Sequence, residues 1–120
     1  MNDIKSALAD YWDEQRLLCR QFNAEFTPIE DGTRLGFSIA SQDKKPIYGI
    51  RHLPHKGTNG WYIWCADKSD AVDFFQPLCA EHLIARCPGA LRFLALPPGY
   101  GFVADGKYVD VWFDESFRVI

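Results

Sequence analysis

The hydrophobic period of the chain changes at Thr27-Pro28, and this change limits the fold more than any other feature. Before it, residues 3 to about 24 follow a helical repeat. At 100° steps, Ile4, Leu8, Tyr11, Trp12, Leu18, Cys19 and Phe22 fall within an arc of about 120°. A helix of that length spans roughly 33 Å. Asn2 or Asp3 is placed to cap its start, where a negative charge also suits the helix dipole. Leu17 lies opposite the apolar arc and Gln15 near its middle. The residue before a proline avoids helical geometry, so the element ends by Thr27.

Beyond that point the period is two. Glu30-Asp31-Gly32-Thr33 reads as a turn, and Leu35, Phe37 and Ile39 then alternate with Gly36 and Ser38 as a strand. The turn Gln42-Asp43-Lys44-Lys45-Pro46 leads to a second strand, Ile47 to about Leu53. A loop from Pro54 to Gly60 leads to a third, Trp61 to Ala66, which is bulky and apolar throughout. Short turns between the three favour an antiparallel meander. Ser69 or Asp70 opens a helical region reaching about Cys87. Pro77 interrupts it, so the main helix is expected to start there, with Leu78, Cys79, His82 and Leu83 on one side. Pro88-Gly89 ends that helix, and Ala90 to Leu96 adds a turn or two. Asp105-Gly106, between Tyr100–Ala104 and Lys107–Phe113, is the strongest hairpin signal in the chain. In its second arm Val109, Val111 and Phe113 face the core, while Tyr108, Asp110 and Trp112 face away. The expected class is α+β: about five antiparallel strands, with a long N-terminal helix and one or two further helices packed on the sheet.

A chain of 120 residues holds one such core, so residues 1–120 are read as a single domain. With 48% apolar residues and nine Phe, five Tyr and four Trp, it can fill that core, which excludes intrinsic disorder. The longest uncharged run, Phe93 to Ala104, has 12 residues, whereas a membrane-spanning helix needs about 20. Met1-Asn2-Asp3-Ile4-Lys5 lacks the basic and then apolar pattern of an export signal, so a cytoplasmic location is expected. The net charge of −3 does not favour nucleic acid as a partner. Its distribution is uneven: residues 1–31 carry −4, residues 32–60 carry +4, and the remainder −3.

Candidate chemistry has to be weighed against ordinary packing. Cysteines stand at 19, 65, 79 and 87 with no Cys-x-x-Cys, so neither a structural zinc site nor any other metal or cofactor is expected. Cys79 and His82 are three apart on an expected helix, a spacing at which a thiolate nucleophile meets its base. The plainer reading is a buried cysteine beside a core histidine. His52 and His55 form His-x-x-His, but Pro54 prevents a helix that would hold both rings on one face. Lys44, Lys45, Arg51 and Lys56 lack the glycine-rich helix start that cradles phosphate. Glu81 and Asp73 are too few acids for metal-dependent hydrolysis. The aromatic residues say more. Trp61-Tyr62-Ile63-Trp64 puts rings on both faces of one strand, and exposed rings beside acids such as Asp110 and Asp114 have the make-up of a protein-binding hot spot.

Four strings in order carry a resemblance: Gly60-Trp61-Tyr62-Ile63-Trp64; Asp73-Phe74-Phe75-Gln76-Pro77-Leu78 running into Glu81-His82-Leu83; Leu96-Pro97-Pro98-Gly99; and Asp110-Val111-Trp112-Phe113-Asp114. Together, over roughly His52 to Glu115, they resemble the immunity protein 33-like domain of bacterial polymorphic-toxin and secreted-effector systems. The resemblance implies a small cytoplasmic protein, not an enzyme, that binds a cognate toxin and neutralises it by stoichiometric inhibition. It brings no catalytic residues with it. The residues themselves place the expected partner-binding surface at Asp110, Trp112 and Asp114, with Trp64 from the neighbouring strand. The alternative is a small cysteine-dependent hydrolase or ligand-binding module centred on Cys79 and His82. A closed pocket beside that pair would mark the second, and a flat aromatic and acidic surface the first.

Overall fold

The computed structural model describes residues 6–119. It is α+β, with a six-stranded mixed sheet in the order β4-β1-β3-β2-β5-β6. The strands are β1 (Arg34–Phe37), β2 (Ile47–Arg51), β3 (Thr58–Cys65), β4 (Gln76–Cys79), β5 (Tyr100–Asp105) and β6 (Tyr108–Phe113). Helix α1 (Trp12–Gln21) follows a 3-10 turn at Leu8–Tyr11, and α2 (Leu83–Arg86) is a single turn between 3-10 segments at Ala80–His82 and Pro88–Phe93.

The first helix is shorter than its apolar repeat. It ends because Asn23 takes the left-handed conformation, φ 56°, and Ala24 N–H returns to the Cys19 carbonyl at 2.8 Å. Thr27-Pro28 lies beyond that stop. The expected caps, Asn2 and Asp3, fall outside the described residues. The capping carboxylate seen comes from Asp31, which accepts from Ser6 Oγ (2.7 Å), Ala7 N (2.7 Å) and Leu8 N (3.0 Å). Gln15, near the middle of the arc, is buried and donates from Nε2 to the Leu91 carbonyl at 2.8 Å.

The first three strands run in the alternating directions of a meander, but their order differs. β3 inserts between β1 and β2, antiparallel to β2 and therefore parallel to β1. Room for it comes from the connection between β1 and β2, which leaves the sheet through a 3-10 turn at Ile39–Ser41. Ser41 Oγ bonds Ser38 Oγ at 2.8 Å and receives Cys65 N–H at 3.2 Å, fastening that turn to the end of β3. The expected helix from Pro77 is also corrected. Gln76–Cys79 is an edge strand paired with β1, and a proline is tolerated on such an edge.

One face of the sheet takes the core. Against it lie α1, α2 and the segment Pro88–Phe93, with Leu35, Phe37, Trp61, Ile63 and Phe102 fully buried below them. Phe93 stacks on Phe102 at 4.2 Å, and Trp61 donates its indole N–H to the Leu94 carbonyl at 3.0 Å. Val111 is buried here and Val109 packs partly, but Phe113 stays 50% exposed. The end of β6 runs past the helix layer, so Phe113 rests on Gly99 and the Tyr100 ring instead of entering the core.

Candidate partner-binding face

Strand alternation puts every second side chain on the sheet face away from the helices. Register then orders those side chains into two cross-strand rows running from β3 to β6. The first is Trp64, Tyr48, Val103 and Asp110; the second is Tyr62, Ile50, Gly101 and Trp112. Tyr48 stacks on Trp64 with centroids 5.4 Å apart. Phe75, from the segment before β4, stands edge-on to Tyr62 (5.2 Å) and Trp64 (5.9 Å) and forms one wall of a groove. Further along the second row, the Trp112 and Phe117 rings both lie over Gly101.

Two glycines allow these rings to lie close to the backbone. A Cβ on Gly36 would come within 2.5 Å of the Tyr62 ring, and one on Gly101 within 3.1 Å of the Trp112 indole. Beside Phe75, the residues Ile50, His52, Tyr62, Trp64 and Lys68 line with it a hollow of about 320 Å³. His52 and His55 flank Tyr62. His55 Nε2 is 2.9 Å from the Tyr62 hydroxyl with the rings stacked, and His52 meets the Phe117 carbonyl through Nδ1. The surface is therefore mixed: aromatic in the middle, with imidazoles and Lys68 towards β3 and a carboxylate towards β6.

The structure brings Trp64, Asp110 and Trp112 onto this one face, but Trp64 is not on a neighbouring strand: β2 and β5 lie between its strand, β3, and β6. Trp64 is only 8% exposed, clamped between Tyr48 and Phe75, whereas Trp112 is half-buried and Asp110 exposed. The Asp110 carboxylate accepts from Val111 N at 2.9 Å through one oxygen, Oδ1. Asp114 lies beyond the end of β6 and caps the 3-10 turn Glu115–Arg118, accepting from Ser116 Oγ (2.7 Å) and Ser116 N (2.9 Å). Those bonds hold its carboxyl below the usual range, so it is ionised at neutral pH.

Other candidates resolve differently. Cys79 ends β4 with an extended backbone (ψ 134°) and His82 is exposed in the next turn, so the pair does not share a helical face. Arg51 leaves the basic surface run altogether. It is buried and donates to the carbonyls of Thr27 (2.8 Å), Leu96 (2.8 Å) and Asn59 (3.2 Å). Burial lowers its pKa to about 10. Glu81 accepts from Gly32 N at 2.8 Å, a structural use of its carboxylate. Among the described residues, no group of three His, Cys, Asp or Glu is placed to hold a metal ion, and no helix is long and apolar enough to cross a membrane.

The sequence reading missed His52, His55, Tyr48, Ile50 and Phe75 as members of this face. Alternation within β2 separates Tyr48 and Ile50 from Ile47 and Gly49, but only register says which neighbours they join.

The Imm33-like domain family matches residues 14–114, from the first turn of α1 to the end of β6, and the chain belongs to that family. The match reaches well ahead of His52, where the region of resemblance read from the sequence begins. No curated protein and no solved structure matches the chain.

Proposed function

We propose that the protein is a bacterial immunity protein that binds a cognate toxin in the cytoplasm and neutralises it by stoichiometric occlusion through the open sheet face. The observation that carries this reading is the pair of cross-strand rows. A sheet face bearing Tyr48, Ile50, Tyr62 and Trp112, all partly exposed around the buried Trp64, and edged by Phe75 and Phe117, offers aromatic surface of the kind that association surfaces use. Membership of the Imm33-like family supports a protein partner of this kind. Aromatic anchors give large contact area at low entropic cost, and Trp and Tyr dominate hot spots. Asp110 and Asp114 beside them offer charge-assisted hydrogen bonds to Arg or Lys of the toxin. The hollow between Phe75 and Ile50 admits one apolar side chain of the partner.

The test is co-purification of the full chain with the product of the neighbouring toxin gene, together with growth of cells expressing that toxin. The reading predicts a one-to-one complex and protection that requires equimolar protein. Protection at far below equimolar amounts, or no complex at micromolar concentration, would refute it.

A further inference from the structure

We infer that Cys65 and Cys87 form a redox-active dithiol at the wall of a cationic cleft that admits an anionic low-molecular-weight disulfide. The two cysteines come from distant elements. Cys65 is the last residue of β3, and Cys87 follows α2, just before Pro88–Phe93. Both residues are buried, and their thiols lie close enough for each to be the largest influence on the other's pKa. Both also line the same cleft, about 310 Å³ in volume.

The cleft has a marked charge. Lys44, Lys45, Arg86 and Arg92 line it, and Asp43 is the single carboxylate among its lining residues. A cation-rich concavity concentrates anions and raises their encounter rate. The thiols are also polarised against each other. The hydrogen bond from the Cys87 thiol lowers the pKa of Cys65, against the opposing effect of burial and with help from the Lys44 backbone N–H. The same bond and burial raise Cys87. That polarity makes Cys65 the attacking thiol and Cys87 the resolving one. Cys19 differs: it is buried in the core, and burial raises its pKa.

The Cys65 thiolate attacks one sulfur of the external disulfide, breaking its S–S bond and releasing one thiol, which takes the proton that Cys65 gave up. The Cys87 sulfur, losing its own proton, then attacks Cys65 in the mixed disulfide and releases the second thiol. Two electrons pass from the protein pair to the external disulfide, and no other reactant is needed. Closing the pair brings the two sulfurs to an S–S distance of about 2.05 Å. The new bond would close residues 65–87 into a loop that carries Phe75, one wall of the aromatic groove.

The experiment treats the native full chain with oxidised glutathione and maps its peptides without reduction. The expected product is a Cys65–Cys87 peptide, formed before any change at Cys19 or Cys79. Cys87→Ser should stop at a glutathione adduct on Cys65, and Cys65→Ser should leave Cys87 largely unmodified. Because serine substitution in the core can disturb folding, the unaltered protein supplies a second measurement. Its oxidation by glutathione disulfide should slow about tenfold on going from low to high salt, while oxidation by neutral 2-hydroxyethyl disulfide should not change. Absence of the Cys65–Cys87 peptide, earlier modification of Cys19 or Cys79, or equal salt dependence for the two disulfides would overturn the inference.

Discussion

Asp31 shows how one side chain can hold an element that begins 23 residues earlier, at Leu8. Its carboxylate accepts from Leu8 N and Ala7 N, backbone donors that the first helical turn leaves without partners, and from the Ser6 hydroxyl. Burial pushes its pKa up, but these three bonds outweigh it and the net shift is downward. A carboxylate lowered in the folded state stabilises above its unfolded pKa of about 3.9, and the contribution is lost as pH falls through the folded value. Asp31→Ala should therefore cost about 1–2 kcal/mol at pH 7, the range of a lost N-cap. Urea titrations at several pH values should show the gap to the parent protein narrowing below about pH 4. A gap that is constant down to pH 2 would assign the effect to something other than the charge. Arg51 is a second such residue. Replacing it by Met leaves three carbonyls without a donor, and at about 1–3 kcal/mol for each buried polar group the loss should exceed 3 kcal/mol. Neither role was legible in the sequence. Asp31 read as a turn residue and Arg51 as a surface base, because all but one of their partners (the Ser6 hydroxyl) are backbone groups, which carry no side-chain signature.

Elements were more legible than their neighbours. The hairpin at Asp105-Gly106, the strand at Ile47 and the apolar strand around Trp61–Trp64 follow directly from alternation, and the α+β class follows from the change of period. Strand order does not, because alternation specifies which face a side chain takes and says nothing of the strand beside it. The insertion of β3 between β1 and β2 depends on Ser38 and Ser41, a small polar pair with no periodic signal. The edge strand at Gln76–Cys79 was misread as helix because proline is expected at a helix start more often than in a strand. Glycine in β2 has a definite role. A Cβ on Gly49 would lie 2.2 Å from the Phe102 ring, which crosses the β2 backbone at that point. Gly49→Ala should destabilise by about 1–3 kcal/mol through overpacking. Combining it with Phe102→Leu should cost less than the sum of the two single changes, as expected for residues in contact. Additive losses in thermal unfolding would mean the ring moves away freely.

At the scale of the whole molecule, the two faces of the sheet divide the work. The helix side holds Phe37, Trp61, Phe93 and Phe102 in a closed core, and the other side presents aromatic rings in ordered rows. Alternation in β6 was enough to turn Asp110 and Trp112 away from the core. Their assembly with Tyr62, Phe75, His52 and His55 needed the register, so half of the candidate face stayed hidden. The central claim is that this face, and not the helix side, contacts the toxin. The most direct measurement is the equilibrium affinity of purified toxin for Trp112→Ala, Asp110→Ala and, on the exposed side of α1, Leu17→Ala, which replaces a side chain that is 54% exposed. The account predicts that the first two lose about 2 kcal/mol, some thirtyfold in affinity, while remaining folded, and that Leu17→Ala binds like the parent. Unchanged affinity for both face variants, with a loss at Leu17, would contradict it.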